Sequence, residues 1–145
     1  MKVLVQRVSS ASVKINDELV AEIAQGILLF LGIEKGDDRQ KADKLLAKIL
    51  NYRIFPDQND RMNLSLLDIQ GELLVISQFT LVADTQKGLR PSFSSAGLPD
   101  ESKALYQYFV DQAGLSGLSV ATGRFGADMA VALVNDGPVT FNLSV

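Results

Sequence analysis

The 145-residue chain reads as a single α+β domain over residues 1–145: a mostly antiparallel, barrel-like sheet with two packed helices. Three observations predict this. Short apolar runs rich in Val, Ile and Leu recur between turn residues such as Asn16-Asp17, Gly26 and Gln70-Gly71, the pattern of strands. Two stretches switch to the 3.6-residue period of a helix. No repeat, low-complexity tract or linker divides the chain, and an apolar content of 47 % with 21 % charge suits one compact core.

In order, KVLVQRVSSASVKIN is a long first strand with valines at 3, 5, 8 and 13, and ELVAEIAQ returns from the Asn16-Asp17 turn as the second. ILLFLGI (27–33) is continuously apolar and predicts a buried central strand. From Asp37 the period changes. Ala42, Leu45, Leu46, Ile49 and Leu50 mark one helical face, Asp37 with Gln40 resembles a capping box, and the helix ends before Pro56. NLSLLDI, the turn Gln70-Gly71 and ELLVISQFTLV read as a hairpin. Residues 83–98 are the longest stretch without periodicity, and loops of that length are usually functional. Pro99 suits the first turn of a second helix, with Leu105, Tyr108 and Phe109 as its buried stripe. LSVATGRFG, ADMAVALVND and PVTFNLSV complete a sheet of about seven strands.

The chain has no cysteine and no histidine, which excludes disulfides, thiolate metal sites, cysteine nucleophiles and a Ser-His-Asp triad. A metal would have only carboxylates to draw on, so no metal and no cofactor is expected. The net charge of −3 and pI near 4.9 argue against a broad nucleic-acid footprint, though not against gripping one RNA end. No apolar run approaches a bilayer span, and MKVLVQRVSS reads as a strand and not a signal peptide, so no membrane and a cytoplasmic location are expected.

Two motifs carry candidate chemistry. SQFTL (77–81) ends the most apolar late strand, where hydroxyls and free N–H groups can form an oxyanion-binding corner. Spacing alone favours a plainer reading, in which Ser77 and Thr80 satisfy local backbone groups while Phe79 packs in the core. NDGPVT (135–140) places Gly137-Pro138 between two apolar runs, where proline marks an edge, a bulge or a turn, and the base rate favours an ordinary trans turn, because only about 5–6 % of X-Pro bonds in folded proteins are cis.

Together the two motifs resemble the paired signatures SQFTL and N-x-G-P-V-T of the D-aminoacyl-tRNA deacylases. VQRVSSASV, KGLRPSF and GRFGADM are also similar to that family's text, so the likeness covers essentially the whole chain. The resemblance implies a homodimer of β-rich subunits acting on the 3′ end of aminoacyl-tRNA, with the site at the subunit interface. It implies a cis Gly137-Pro138 peptide whose carbonyls enter the partner's pocket, held by Arg7. The pocket for the aminoacyl group would be lined by backbone around Ser77, Gln78, Phe79 and Thr80, with Met129 near it. The implied reaction is hydrolysis of the ester in D-aminoacyl-tRNA and mischarged glycyl-tRNA. L-esters would be turned away by a clash with rigid carbonyls, as translation proofreading.

Thr80 is the obvious nucleophile, but a threonine hydroxyl needs an activating base and the motif offers none beside it. The expectation is that Thr80 contributes position and a backbone N–H, with water attacking under assistance from the ribose hydroxyl. Two other readings stand beside this one: a dimeric RNA-end-binding module without chemistry, and a small-molecule esterase using Thr80. Lys87, Arg90 and Arg124 are candidates to meet phosphates of the tRNA end, or simply solvated surface charges.

Overall fold

The computed structural model describes all 145 residues. The long strand β1 (Lys2–Ile15) organises the sheet. One edge pairs antiparallel with β3 (Gly26–Gly32) along Lys2–Val8 and with β2 (Glu18–Ile23) along Ala11–Ile15. Its other edge carries β8 (Ala130–Ser144), also antiparallel. Beyond β3, the strands β6 (Glu72–Ser77) and β7 (Val120–Thr122) add in parallel, giving the order β2-β1-β3-β6-β7 with β8 on β1. The six strands curl into a nearly closed, barrel-like sheet.

The central run 27–33 behaves as its composition requires, since it is buried on both faces. Ile27, Leu29 and Leu31 join Val3, Val5, Leu73 and Val75 in a core shared with the helices, while Leu28 joins Val8, Val13, Leu74 and Ile76 in a second core. Gly26 is needed because the backbone of Glu72 occupies the place a side chain would take.

Helix α1 (Arg39–Leu50) buries the five predicted residues. Its cap is one residue later than the sequence suggested: Asp38, not Asp37, accepts the Lys41 N–H at 2.9 Å. Asp37 is drawn elsewhere, accepting the Glu34 N–H at 2.7 Å and pairing with the Met1 ammonium at 2.7 Å and Lys41 Nζ at 3.0 Å. Burial acts to raise its pKa, but these hydrogen bonds and charges outweigh it and hold the carboxyl below its usual value.

Helix α2 (Pro99–Gly114) turns Leu105, Tyr106, Phe109 and Ala113 inward. Tyr106 replaces the expected Tyr108 in the stripe. The Tyr106 hydroxyl donates to Val75 O at 2.9 Å, and burial pushes its pKa up to about 12. Tyr108 instead reaches across to α1, donating to Asp43 at 2.9 Å under the Arg39 guanidinium.

Two strand expectations are corrected. Residues 63–69 do not pair with β6. Only β5 (Met62–Leu64) is extended, and it pairs with β4 (Phe55–Pro56). The Asp68 carboxylate takes the Ser65 N–H at 2.8 Å and hydroxyl at 2.7 Å, a local turn that competes with the sheet. The crossover through α1 leaves β6 parallel to β3. Likewise ADMAVALVND and PVTFNLSV are one strand, β8, because Gly137-Pro138 does not turn the chain.

Candidate functional site

Strand β6 ends at Ser77, and the expected continuation to Val82 is instead a 3-10 turn over Phe79–Val82. The Gln78 N–H donates to Leu31 O at 2.8 Å, closing the parallel pairing, and the turn's own bonding begins with Leu81 N–H on Gln78 O at 3.3 Å. The amides of Phe79 and Thr80 precede that first bond, so the turn itself leaves them free.

Beside this turn lies a cleft of about 620 Å³, walled by Ser77, Gln78 and Phe79, by Phe125 and Met129, and by Ser102 of α2. Phe79 is 61 % exposed and its ring lies 5.0 Å from that of Phe93, so it forms part of an open rim and not of the core. Thr80 is exposed and does not line the cleft. Its Oγ1 accepts from Gln78 Nε2 at 2.6 Å, and no carboxylate or amine bonds to it. The loop 83–98 is tied down where Asp84 and Ser92 exchange backbone bonds of 2.8 and 2.9 Å. Lys87 and Arg90 lie on its exposed span and Arg124 is exposed near Phe125. None of the three forms an ion pair within the chain.

The second motif forms a different structure. On β1, Gln6 faces Thr140 and Val8 faces Asn135, so Arg7 alone spans what residues 136–139 span on β8. The excess residues form a bulge, which re-aims backbone away from the ladder. The Gly137-Pro138 peptide is cis, and Gly137 has φ of +131°, a conformation open to glycine. Both residues are exposed. Beneath them Arg7, only 8 % exposed, donates from Nε to Asp136 O at 3.0 Å and from Nη1 to Ile54 O at 2.6 Å, and pairs with the Asp136 carboxylate at 3.2 Å.

The structure therefore brings Ser77, Gln78, Phe79 and Met129 together at one cleft. It gathers Arg7, Gly137 and Pro138 at a separate bulge that does not line that cleft. Sequence reasoning missed Ser102 as a cleft residue, and missed the specific part of Phe125, although its segment GRFGADM stood out. No group of three or more carboxylates is placed to hold a metal ion, and no helix is long and apolar enough to cross a membrane.

The comparisons with known proteins agree with one another. The family model described as D-Tyr-tRNA(Tyr) deacylase matches residues 4–144. A D-aminoacyl-tRNA deacylase from Pseudoalteromonas translucida (strain TAC 125) is 66 % identical over 145 residues, covering all of both chains. A protein of the same description from Aeromonas hydrophila subsp. hydrophila is 60 % identical, again over the full length of both. Among solved structures, the c-Myc DNA Unwinding Element Binding Protein superposes with a TM-score of 0.95 at 38 % identity, covering 100 % of this chain and 99 % of that one. A probable eukaryotic D-amino acid tRNA deacylase shares the fold, with a TM-score of 0.85 at 16 % identity over 99 % and 98 % of the two chains.

Proposed function

The chain belongs to the D-Tyr-tRNA(Tyr) deacylase family and is a D-aminoacyl-tRNA deacylase, a hydrolase, and from that premise we propose a division of labour between its two motifs. The cleft beside residues 77–80 receives the aminoacyl ester at the 3′ end of tRNA. The 136–139 bulge of a second copy tests its handedness there. The substrates are D-aminoacyl-tRNA and mischarged glycyl-tRNA, and the role is translation quality control in the cytoplasm.

The observation that carries this reading is the start of the 3-10 turn, where the amides of Phe79, which lines the cleft, and of its neighbour Thr80 stand free of the turn's own bonding. An aminoacyl ester is already activated. Positioning it and stabilising the developing oxyanion with backbone donors supplies catalysis without an imidazole, and one such donor is worth about 3–4 kcal/mol. Thr80 acts through position and its N–H, and water attacks with the neighbouring ribose hydroxyl assisting. The bond from Gln78 Nε2 fixes the Thr80 hydroxyl, and no base is bonded to it, which favours this role over that of nucleophile in a small-molecule esterase.

The handedness test needs two copies, because Gly137 and Pro138 lie away from the cleft of their own chain. The exposed bulge, anchored from below by Arg7, offers rigid carbonyls to the α-carbon. A side chain in the L arrangement meets them, while a D side chain points away and glycine has none. Each ~1.4 kcal/mol of that clash excludes L-esters by a further factor of ten. Lys87, Arg90 and Arg124, exposed and without ion pairs within the chain, would meet phosphates of the tRNA end in this reading.

The test is a deacylation time course on matched D- and L-tyrosyl-tRNA, with glycyl-tRNA as a third substrate. Rapid loss of the D- and glycyl-esters with the L-ester spared is expected. Equal release of D- and L-tyrosine would overturn the filter. Binding without any release would leave an RNA-end-binding module.

A further inference from the structure

The bulge is held on one face by Arg7, but that anchor reaches only its first residue, Asp136. The far end has a different partner. Consecutive residues of a strand project to opposite faces, and the residue before Arg7 is Gln6. Its Oε1 accepts from Asn135 Nδ2 at 3.1 Å and from Thr140 Oγ1 at 2.5 Å. Asn135 and Thr140 are the last residue before the bulge and the first after it, where the β1–β8 register resumes. One side-chain oxygen thus closes the base of a four-residue excursion, and no other side chain bonds to Thr140.

We propose that Gln6 is a positioning residue for stereochemical discrimination, clamping both ends of the 136–139 bulge from the face opposite Arg7. Val139 packs into the core, but no side-chain hydrogen bond reaches residues 137–139, so a bulge bonded only at Asp136 could still slide or flatten along β8. With Asn135 and Thr140 gathered on one acceptor, the spacing between the two ends of the bulge is set, and with it the projection of Gly137 and Pro138. Asn135 and Thr140 are both exposed, so water replaces the lost bonds in a variant and the cost falls on geometry more than on folding.

This rests on the reading of the bulge as the handedness filter. The experiment compares kcat/KM for D- and L-tyrosyl-tRNA in the wild type, Gln6→Met, Gln6→Glu and Thr140→Val. The wild type comes first: equal rates on the two esters would sink the filter itself, whatever Gln6 does. Given discrimination, Gln6→Met removes the acceptor at similar length. The D/L ratio is expected to fall about tenfold, chiefly through faster loss of the L-ester, since two hydrogen bonds of ordinary strength are lost. Gln6→Glu keeps an oxygen for both donors and should stay within about twofold of the wild type, well under the tenfold step of a ~1.4 kcal/mol change. Thr140→Val should weaken the ratio in the same direction, and adding it to Gln6→Met should cost less than the sum of the two. An unchanged ratio in Gln6→Met, or an equal loss in Gln6→Glu, would overturn the clamp. Should Gln6→Met not fold, Thr140→Val alone decides, because it leaves β1 intact.

Discussion

The two functional regions are built in opposite ways. The turn at 78–82 is held chiefly by main chain: Gln78 N–H on Leu31 O, Leu81 N–H on Gln78 O and Ala83 N–H on Thr80 O, with Phe79 and Thr80 exposed and Val82 buried. The bulge at 136–139 is the reverse, a break in the main-chain ladder that stands because side chains brace it, Arg7 beneath and Gln6 across its base. A site braced by main chain tolerates changes of residue and fails when an N–H is removed. One braced by side chains fails with a single distant substitution. The difference gives each region its own mutational signature.

The largest effect expected is at Arg7. Truncation to alanine removes the donors of Ile54 O and Asp136 O and strands the Asp136 carboxylate. The Asp136 carboxylate is 37 % exposed and water takes over part of its pairing, so the cost in stability is set mainly by the carbonyls left without a donor, about 2–3 kcal/mol. Urea unfolding measures it, and D/L selectivity in whatever protein folds should collapse. Arg7→Lys keeps the charge without the fork and should recover only part of both. Normal stability and selectivity in Arg7→Ala would erase the contrast, since the bulge would then be held by its own backbone.

At the other region the contrast sharpens within one position. Thr80→Ala leaves every main-chain bond of the turn and should keep kcat within about threefold, with stability changed by no more than about 0.5 kcal/mol, as for surface substitutions. Thr80→Pro removes the amide hydrogen and also disfavours the helical backbone of Phe79 before it, so the variant disturbs main chain where Thr80→Ala does not. Loss of one oxyanion donor predicts a fall of about 10²–10³ in kcat. Single-turnover deacylation distinguishes the two. An acyl-threonine trapped in the wild type, or a dead Thr80→Ala, would make the hydroxyl the reactive group.

The same division explains what was legible beforehand. The core was, because burial writes itself into composition: 27–33 as a two-faced central strand and 42–50 as a helical stripe are where hydrophobic period says they are. The motif SQFTL was visible, but its conformation was not, since an apolar run of that length reads as continued strand while the chain in fact tightens after Ser77. Nor was the bulge's conformation, which depends on a pairing between residues 127 or more apart in sequence; Gly-Pro looks the same in a turn as in the middle of a strand. Gln6 lay in the family-like segment VQRVSSASV, but nothing in the segment pointed to a role for it. The failed hairpin at 63–71 has a local cause, the Ser65–Asp68 turn, whose chemistry was readable but outweighed by the apolar pattern around it.

The smallest effect tests how far the side-chain brace extends. Arg7 leans on Ile54 O, and the chain from Ile54 runs directly into the loop organised by Asp57. The Asp57 carboxylate accepts the Asn59 N–H at 2.8 Å and the Arg61 N–H at 3.1 Å, and these backbone bonds hold its pKa below the usual carboxylate value. A folded-state pKa below the unfolded one contributes stability above the unfolded value, near 4, and that contribution is lost as pH falls through the folded value. Thermal unfolding from pH 7 to pH 3 should therefore show a decline beginning near pH 4, shallower in Asp57→Asn. If the loop buttresses Arg7, D/L selectivity at pH 7 should also slip slightly in Asp57→Asn while the rate on the D-ester stays constant. Selectivity unchanged in that variant would end the brace at Ile54 and confine the side-chain-held region to Gln6, Arg7 and the bulge they face.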